Sequence, residues 1–328
     1  MKKRKVISGA PLHIYFRARG GCVLFYRVTD RLCFCSVLAV LSKRYKVTVI
    51  AASLMFTHVH LMVRASDLAQ LRLFMSMLIR VFSRLLREDR LLDGPRFQTP
   101  FGSAAKALPK DQRSCLIYIL NNPVEKNLCK KAVEDRWTFL AFWDCSNPFS
   151  ERLVKRNASK YLRRALEFIN GEARAGRYLH PKALRRFFDP LSRMEQEQLA
   201  DYLIEAYRFI DYGEMLSLFN SKQDLLLATQ ASAGKEFDVG EDFEPGSDIA
   251  YCEMIRVATK RHLLDNWKLL HLNPAEQAYW GRVFRNTTSA TEWQIMKFLG
   301  IETPKDPSEL LGITTTQRLH DRPWIPRD

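Results

Sequence analysis

The stretch Phe56-Thr57-His58-Val59-His60-Leu61-Met62-Val63 constrains this chain more than any other. It is an apolar strand pattern interrupted by two histidines two residues apart. On a strand, residues i and i+2 point to one face, so His58 and His60 project together while Val59, Leu61 and Val63 fill the opposite face. Two imidazoles side by side on a buried strand are costly unless something binds them, and a divalent metal is the obvious candidate. The competing reading is a pair of hydrogen-bonded core or rim histidines.

At 328 residues the chain is long enough for one large domain or, better, two. No apolar run approaches the ~20 residues of a membrane span, so no membrane is expected among its partners. The basic start, Met1 to Lys5, has no apolar run behind it and does not read as a signal peptide. The seven cysteines are odd in number, scattered and without zinc-type pairing, which points to a reducing cytoplasm. The net charge of +15 is unevenly spread: residues 1–150 hold 25 Lys and Arg against 10 Asp and Glu, and residues 151–328 hold 26 of each. The excess therefore lies in the half with the paired histidines. That half is expected to bind a polyanion, nucleic acid above all; the alternative is a merely soluble basic surface.

Along the chain, Leu12 to Arg17 reads as a strand, Gly20-Gly21 as a turn and Val23 to Arg27 as the returning strand of a hairpin. Thr29-Asp30 is placed to cap a helix reaching about Arg44. Lys46 to Ala51 and Leu54 to Val63 are strand-like. Ser66-Asp67, with Gln70 reciprocating, opens a second helix whose apolar positions run from Leu68 to Leu85. Arg72, Arg80, Arg84 and Arg87 leave its other sides, either as a solvated face or as phosphate contacts. Pro109 introduces a third helix that Pro123 should stop at Asn122. The aromatic cluster Trp137 to Trp143 closes the first core. This order implies α+β architecture: an antiparallel sheet with helices packed on one face.

From about Leu153 the pattern is helical. Residues 151–231 are basic and amphipathic, residues 232–249 read as an acidic linker, and residues 250–328 are again helical. Asn273-Pro274 opens one late helix, and Ser289 with Glu292 makes a capping box for another that Gly300 closes. Two short capped helices suggest a helix-turn-helix-like unit, although such pairs are more often plain packing than DNA readers.

The second informative stretch is Cys115 to Val124. Tyr118 and Asn122 are i and i+4 and share one helix face. A tyrosine hydroxyl, with a pKa near 10, is a weak nucleophile at neutral pH. A nearby metal that polarises a phosphoryl group changes this. The Asn122 amide oxygen could complete a ligand set with His58 and His60, and histidine with amide and phosphate oxygens suits Mg²⁺ or Mn²⁺. Taken singly, Tyr118 would be a core tyrosine and Asn122 a helix C-terminal residue.

Together the pieces resemble a known family. His58-Val59-His60 with its flanks looks like the HUH motif. Tyr118-Ile119, followed by Asn122-Pro123-Val124, looks like the catalytic helix of the single-tyrosine HUH transposases, and most like the REP-associated tyrosine transposase branch. Phe97-Gln98 and Trp137-Thr138-Phe139 sit where that branch has similar residues, and the resemblance covers roughly residues 8–145. It implies a ferredoxin-like sheet with the histidines on a central strand. It also implies metal-dependent cleavage and rejoining of single-stranded DNA beside a hairpin, through a covalent 5′-phosphotyrosine. His58 and His60 would then be metal ligands, Asn122 the third ligand and Tyr118 the nucleophile. Arg17, Arg72, Arg80, Arg84 and Gln98 are the expected DNA contacts. Such proteins often work as dimers, so a homodimer is among the expected assemblies. The long second half departs from short members of the family, although a stretch like Phe237 to Asp242 and a segment like Gln294 to Leu299 resemble parts of longer ones.

Two other readings compete with a strand-transfer enzyme. One is a domesticated DNA-binding protein that no longer cuts, which has no need to keep all of His58, His60, Tyr118 and Asn122. The other is a nuclease that uses water and does not need Tyr118.

Overall fold

The computed structural model describes residues 9–94, 96–98, 100–232 and 247–301. Most of the acidic stretch, including Phe237 to Asp242, lies outside the described residues, as does the chain beyond Ile301.

The first elements run β1 (Leu12–Arg17), α1 (Val28–Tyr45), β2 (Thr48–Leu54), β3 (His58–Arg64), α2 (Leu68–Arg90), β4 (Gly102–Ala105) and α3 (Pro109–Glu125). The four strands form one antiparallel sheet in the order β2-β3-β1-β4. This is the split βαβ arrangement of a ferredoxin-like fold. Along β3, Val59, Leu61 and Val63 are buried; on β1, Leu12, Ile14 and Phe16 are buried. Phe16 meets Phe34 of α1 at 6.2 Å between ring centroids, and Phe34 meets Phe82 of α2 at 5.0 Å. Thus α1 and α2 pack on one face of the sheet, while α3 brings Tyr118 to the histidine rings on the other.

Local chemistry explains the helix ends. Asp67 caps α2 by accepting from the Gln70 backbone N–H at 2.8 Å, and Gln70 Oε1 accepts from Ser66 N at 2.6 Å. At its far end Leu91 turns left-handed, with φ 54°. In α1 the cap lies earlier than Thr29-Asp30. The helix begins at Val28, and Asp30 Oδ2 accepts from the Tyr26 and Arg27 backbone N–H groups at 3.0 and 3.1 Å. Leu32 to Leu41 is buried on every side, because helices from the second half cover what would otherwise be α1's outer face.

Other expectations are corrected by the sheet and by α3. Val23 to Arg27 is not a returning strand, since β3 and β4 already occupy both edges of β1. Gly20 and Gly21 (φ 64° and 68°) turn the chain out of the sheet, and Leu24 N instead donates to Phe56 O at 2.8 Å. The fourth strand is β4, preceded by a bridge between Ala18 and Phe97. Helix α3 does not stop at Asn122; Lys126 N donates to Asn122 O at 3.1 Å, closing one more turn around Pro123.

The second half continues as α4 (Lys160–Arg174), α5 (Pro181–Phe188), α6 (Arg193–Ala206), α7 (Tyr212–Leu216) and α8 (Lys222–Ala231). Their buried side chains, from Leu162 to Leu225, belong to the same core as the sheet. Ile210 forms a parallel bridge to Val49 at the open edge of β2. Then come α9 (Ile249–Lys260), α10 (Pro274–Thr287) and α11 (Glu292–Phe298). They build a second core with Val23, Tyr26 and Phe56. Trp267 locks this part to the sheet helices. The guanidinium groups of Arg27, Arg90 and Arg185 lie 5.1, 4.7 and 5.4 Å from its ring, and its Nε1–H donates to Asp89 at 3.0 Å. Asn273 caps α10 as expected, in a capping box with Glu276. The α11 cap is Thr291 with Gln294, not Ser289 with Glu292, because Glu253 takes the Ser289 N–H and hydroxyl. Gln294 to Leu299 are buried, so α11 is a packing element of this chain. Among the described residues no helix is long and apolar enough to cross a membrane.

Candidate active site

The register of the two central strands assembles the site. Tyr15 pairs with His60, Arg17 with His58 and His13 with Met62. Cross-strand partners share a face, so His13, Tyr15, Arg17, His58 and His60 all stand on the side away from α1 and α2. Helix α3 contacts β2 and β3 and covers this face. The rings of His58 and His60 are 4.9 Å apart between centroids and perpendicular. Tyr118 meets His60 at 5.4 Å and His13 at 5.8 Å. Asn122 lies one helical turn along from Tyr118, and its Nδ2 donates to the Tyr118 carbonyl at 3.0 Å.

His58 and His60 each have the Nδ1 atom engaged. The Nδ1 of His58 is 3.0 Å from Thr57 Oγ1. The Nδ1 of His60 is 3.2 Å from His13 Nε2, and those two rings are stacked within 17°. His13 and His60 are fully buried. Burial holds the His60 ring well below the usual histidine pKa, with the neighbouring His58, His13 and Arg17 acting in the same direction. Burial, then Lys106, pushes His13 down to about 3. Both rings are therefore neutral, as metal ligands or their supports must be.

Among the described residues no group of three or more His, Cys, Asp and Glu is arranged to hold a metal. The structure does bring together two imidazoles, His58 and His60, side by side on one strand face with their Nδ1 atoms engaged. A site with few protein ligands leaves coordination positions for a substrate, as catalytic metal sites do. An outer hydrogen bond on each ligating histidine is the usual support of such sites.

The expected DNA contacts fall in two places. Arg17 stands on the histidine face, and the Gln98 backbone N–H donates to its carbonyl at 2.9 Å. Arg72 and Arg80, with Arg87, line a groove between α2 and the segment before β4, floored by Ile79, Phe97 and Phe101. Arg84 is not in this groove; it donates to Tyr178 Oη at 3.0 Å and lies 3.8 Å from Glu88. His13 was not singled out in the sequence. The alternation of His13, Tyr15 and Arg17 along a strand was the available signal.

No family model matches the chain, and no curated protein matches it. Among solved structures, it is similar to a REP-associated tyrosine transposase bound to a REP hairpin. The TM-score is 0.34 and the identity 15%, over 42% of this chain and 80% of that chain.

Proposed function

We propose that this chain cleaves and rejoins single-stranded DNA, with Tyr118 as nucleophile and a divalent metal, Mg²⁺ or Mn²⁺, held by His58, His60 and Asn122. The observation that carries this reading is the contact of the Tyr118 ring with His60, 5.4 Å between centroids, across the gap between helix and sheet. That contact brings the candidate nucleophile's ring to the histidine face, where a metal held by the imidazoles would act on the same phosphate.

A metal held by His58, His60 and Asn122 would polarise a phosphate oxygen and stabilise developing negative charge. The rest belongs to the chain. Tyr118 attacks phosphorus and loses its proton. The bond from phosphorus to the 3′ oxygen breaks, and that oxygen leaves as a hydroxyl. The 5′ end stays esterified to Tyr118, and reversal with another 3′-hydroxyl rejoins a strand without ATP. Arg17, across the strands from His58, would meet the phosphate backbone. Arg72, Arg80 and Arg87 rise along α2 about 10–12 Å apart, in a groove with aromatic side chains, as single-strand tracks have. A hairpin beside the cleavage site, a homodimer and a cytoplasmic location belong to the same proposal.

The test is incubation of the whole protein with a pool of single-stranded hairpin DNAs and Mn²⁺, followed by a denaturing gel. A covalent protein–DNA adduct, mapped to Tyr118 by peptide mass spectrometry, is expected. DNA attached to another residue, or cleavage without any adduct, would overturn the assignment.

A further inference from the structure

The third histidine of the sheet has no part in the reaction as described, and its geometry points to one. We propose that His13 is a positioning residue for the metal site, fixing the tautomer and orientation of His60. This rests on the reading of His58 and His60 as metal ligands, but its geometric basis is separate.

His13 Nε2 is 3.2 Å from His60 Nδ1, and both side chains are wholly inside the protein. A neutral imidazole has one protonated nitrogen and one acceptor nitrogen. If His60 offers Nε2 to a metal, its proton must sit on Nδ1. It then donates to His13 Nε2, and His13 carries its own proton on Nδ1. Thr57 Oγ1 takes the corresponding position beside His58 Nδ1. The two ligating rings are thus held by different partners, a hydroxyl on one and an imidazole on the other. The imidazole is the more constraining, because the His13 ring lies within 17° of parallel to His60 and also contacts Tyr118 at 5.8 Å. A rotation of His60 would have to move His13 and Tyr118 as well.

The distinction from a third metal ligand is geometric. His13 Nε2 faces a nitrogen of His60, and two nitrogens in hydrogen-bond contact are not two donors converging on one ion. His13 Nε2 is therefore engaged with His60 and is not a donor to the ion that His60 would hold.

Two measurements on the full-length protein test this. The first is Mn²⁺ binding by calorimetry without DNA, comparing wild type with His60→Ala, His13→Phe and His13→Gln. His13→Phe keeps a ring but loses the acceptor, and should weaken Mn²⁺ binding by about 10- to 100-fold. His13→Gln, whose amide oxygen can replace Nε2, should recover most of that loss. Wild-type affinity in His13→Phe would overturn the proposal. So would complete loss in both His13 variants, equal to His60→Ala, because that marks a ligand. The second measurement is the ¹⁵N imidazole spectrum of the metal-free protein. His60 should be held in the Nδ1–H tautomer in wild type and become mixed in His13→Phe. A mixed His60 in wild type, or a spectrum unmoved by His13→Phe, would overturn the proposal even if the protein bound no Mn²⁺. Absence of Mn²⁺ binding by wild type with a locked tautomer would instead sink the metal reading alone.

Discussion

The rings of Tyr118 and His60 stand at 85° to one another, 5.4 Å between centroids, although 58 positions separate them in the chain. One belongs to a helix and the other to a central strand. Their meeting depends on α3 crossing the sheet face that α1 and α2 leave uncovered.

Tyr118→Phe removes one oxygen from that contact and nothing else. Folding stability should fall by only about 1 kcal/mol, the centre of the range for single substitutions. DNA affinity should be preserved and the covalent adduct should vanish. Denaturant melts, anisotropy titrations and the denaturing gel, run side by side, read the three quantities. A persisting adduct would mean another nucleophile.

The groove on α2 makes a graded prediction about salt. Counterion release gives single strands a slope of about 0.7 in log affinity per phosphate contact. Replacing Arg72, Arg80 and Arg87 together by Ala should therefore flatten the salt dependence by about 2. Arg84→Ala should leave it nearly unchanged, because that guanidinium is turned toward Tyr178. Equal effects from Arg84 and the groove arginines in titrations at several salt concentrations would count against the groove.

Gly102 pairs with Tyr15, and a Cβ at this position would run into the Tyr15 ring. Gly102→Ala should cost about 1–3 kcal/mol by overpacking. Adding Tyr15→Ala should restore part of that loss, so the two changes will not be additive. Chemical denaturation of the four proteins in the cycle measures the coupling. Simple additivity would show that the ring and the glycine do not compete for space.

On α3, burial raises the Glu125 carboxyl to about 7, against the opposing pull of Lys126. The folded pKa lies above the unfolded one, so between about pH 4.5 and pH 7 the unfolded chain loses this proton first. Stability from this group is present at low pH and is lost as pH rises through 7. With solvent screening of a half-buried group, the loss is about 1–2 kcal/mol. Glu125→Gln should flatten the profile between pH 5 and pH 8. A wild-type profile that rises over this range in Glu125→Gln-subtracted melts would contradict it.

How much of this could be read from residues alone differs from element to element. Helix α2 was fully legible, because Asp67, Gln70 and a regular apolar stripe each act locally. The placement of His58 and His60 on one strand face was legible for the same reason, since period two needs no tertiary information. Strand β4 was not: Gly-Ser-Ala-Ala has weak strand propensity, and its pairing with β1 is decided by the sheet. The supposed hairpin failed in the complementary way. Val23 to Tyr26 has the composition of a strand but finds no vacant edge. The α11 cap shifted because Glu253, 36 positions away, captured Ser289. His13 was missed because its alternation with Tyr15 and Arg17 marks only a polar strand face, and only the β1–β3 register sets it against His60.

Val49 and Ile210 form a parallel bridge, with Asp211 N donating to Val49 O at 2.9 Å. Edge strands left bare invite pairing with other molecules. A chain cut before this bridge would therefore declare its loss first as self-association, well ahead of any change in chemistry. By the same reasoning, a shorter protein built on this sheet must protect the strand corresponding to Thr48–Leu54 by other means, such as outward charge, a bulge or a proline. The sequence of that one strand should then differ between long and short versions even where the histidine strand beside it does not.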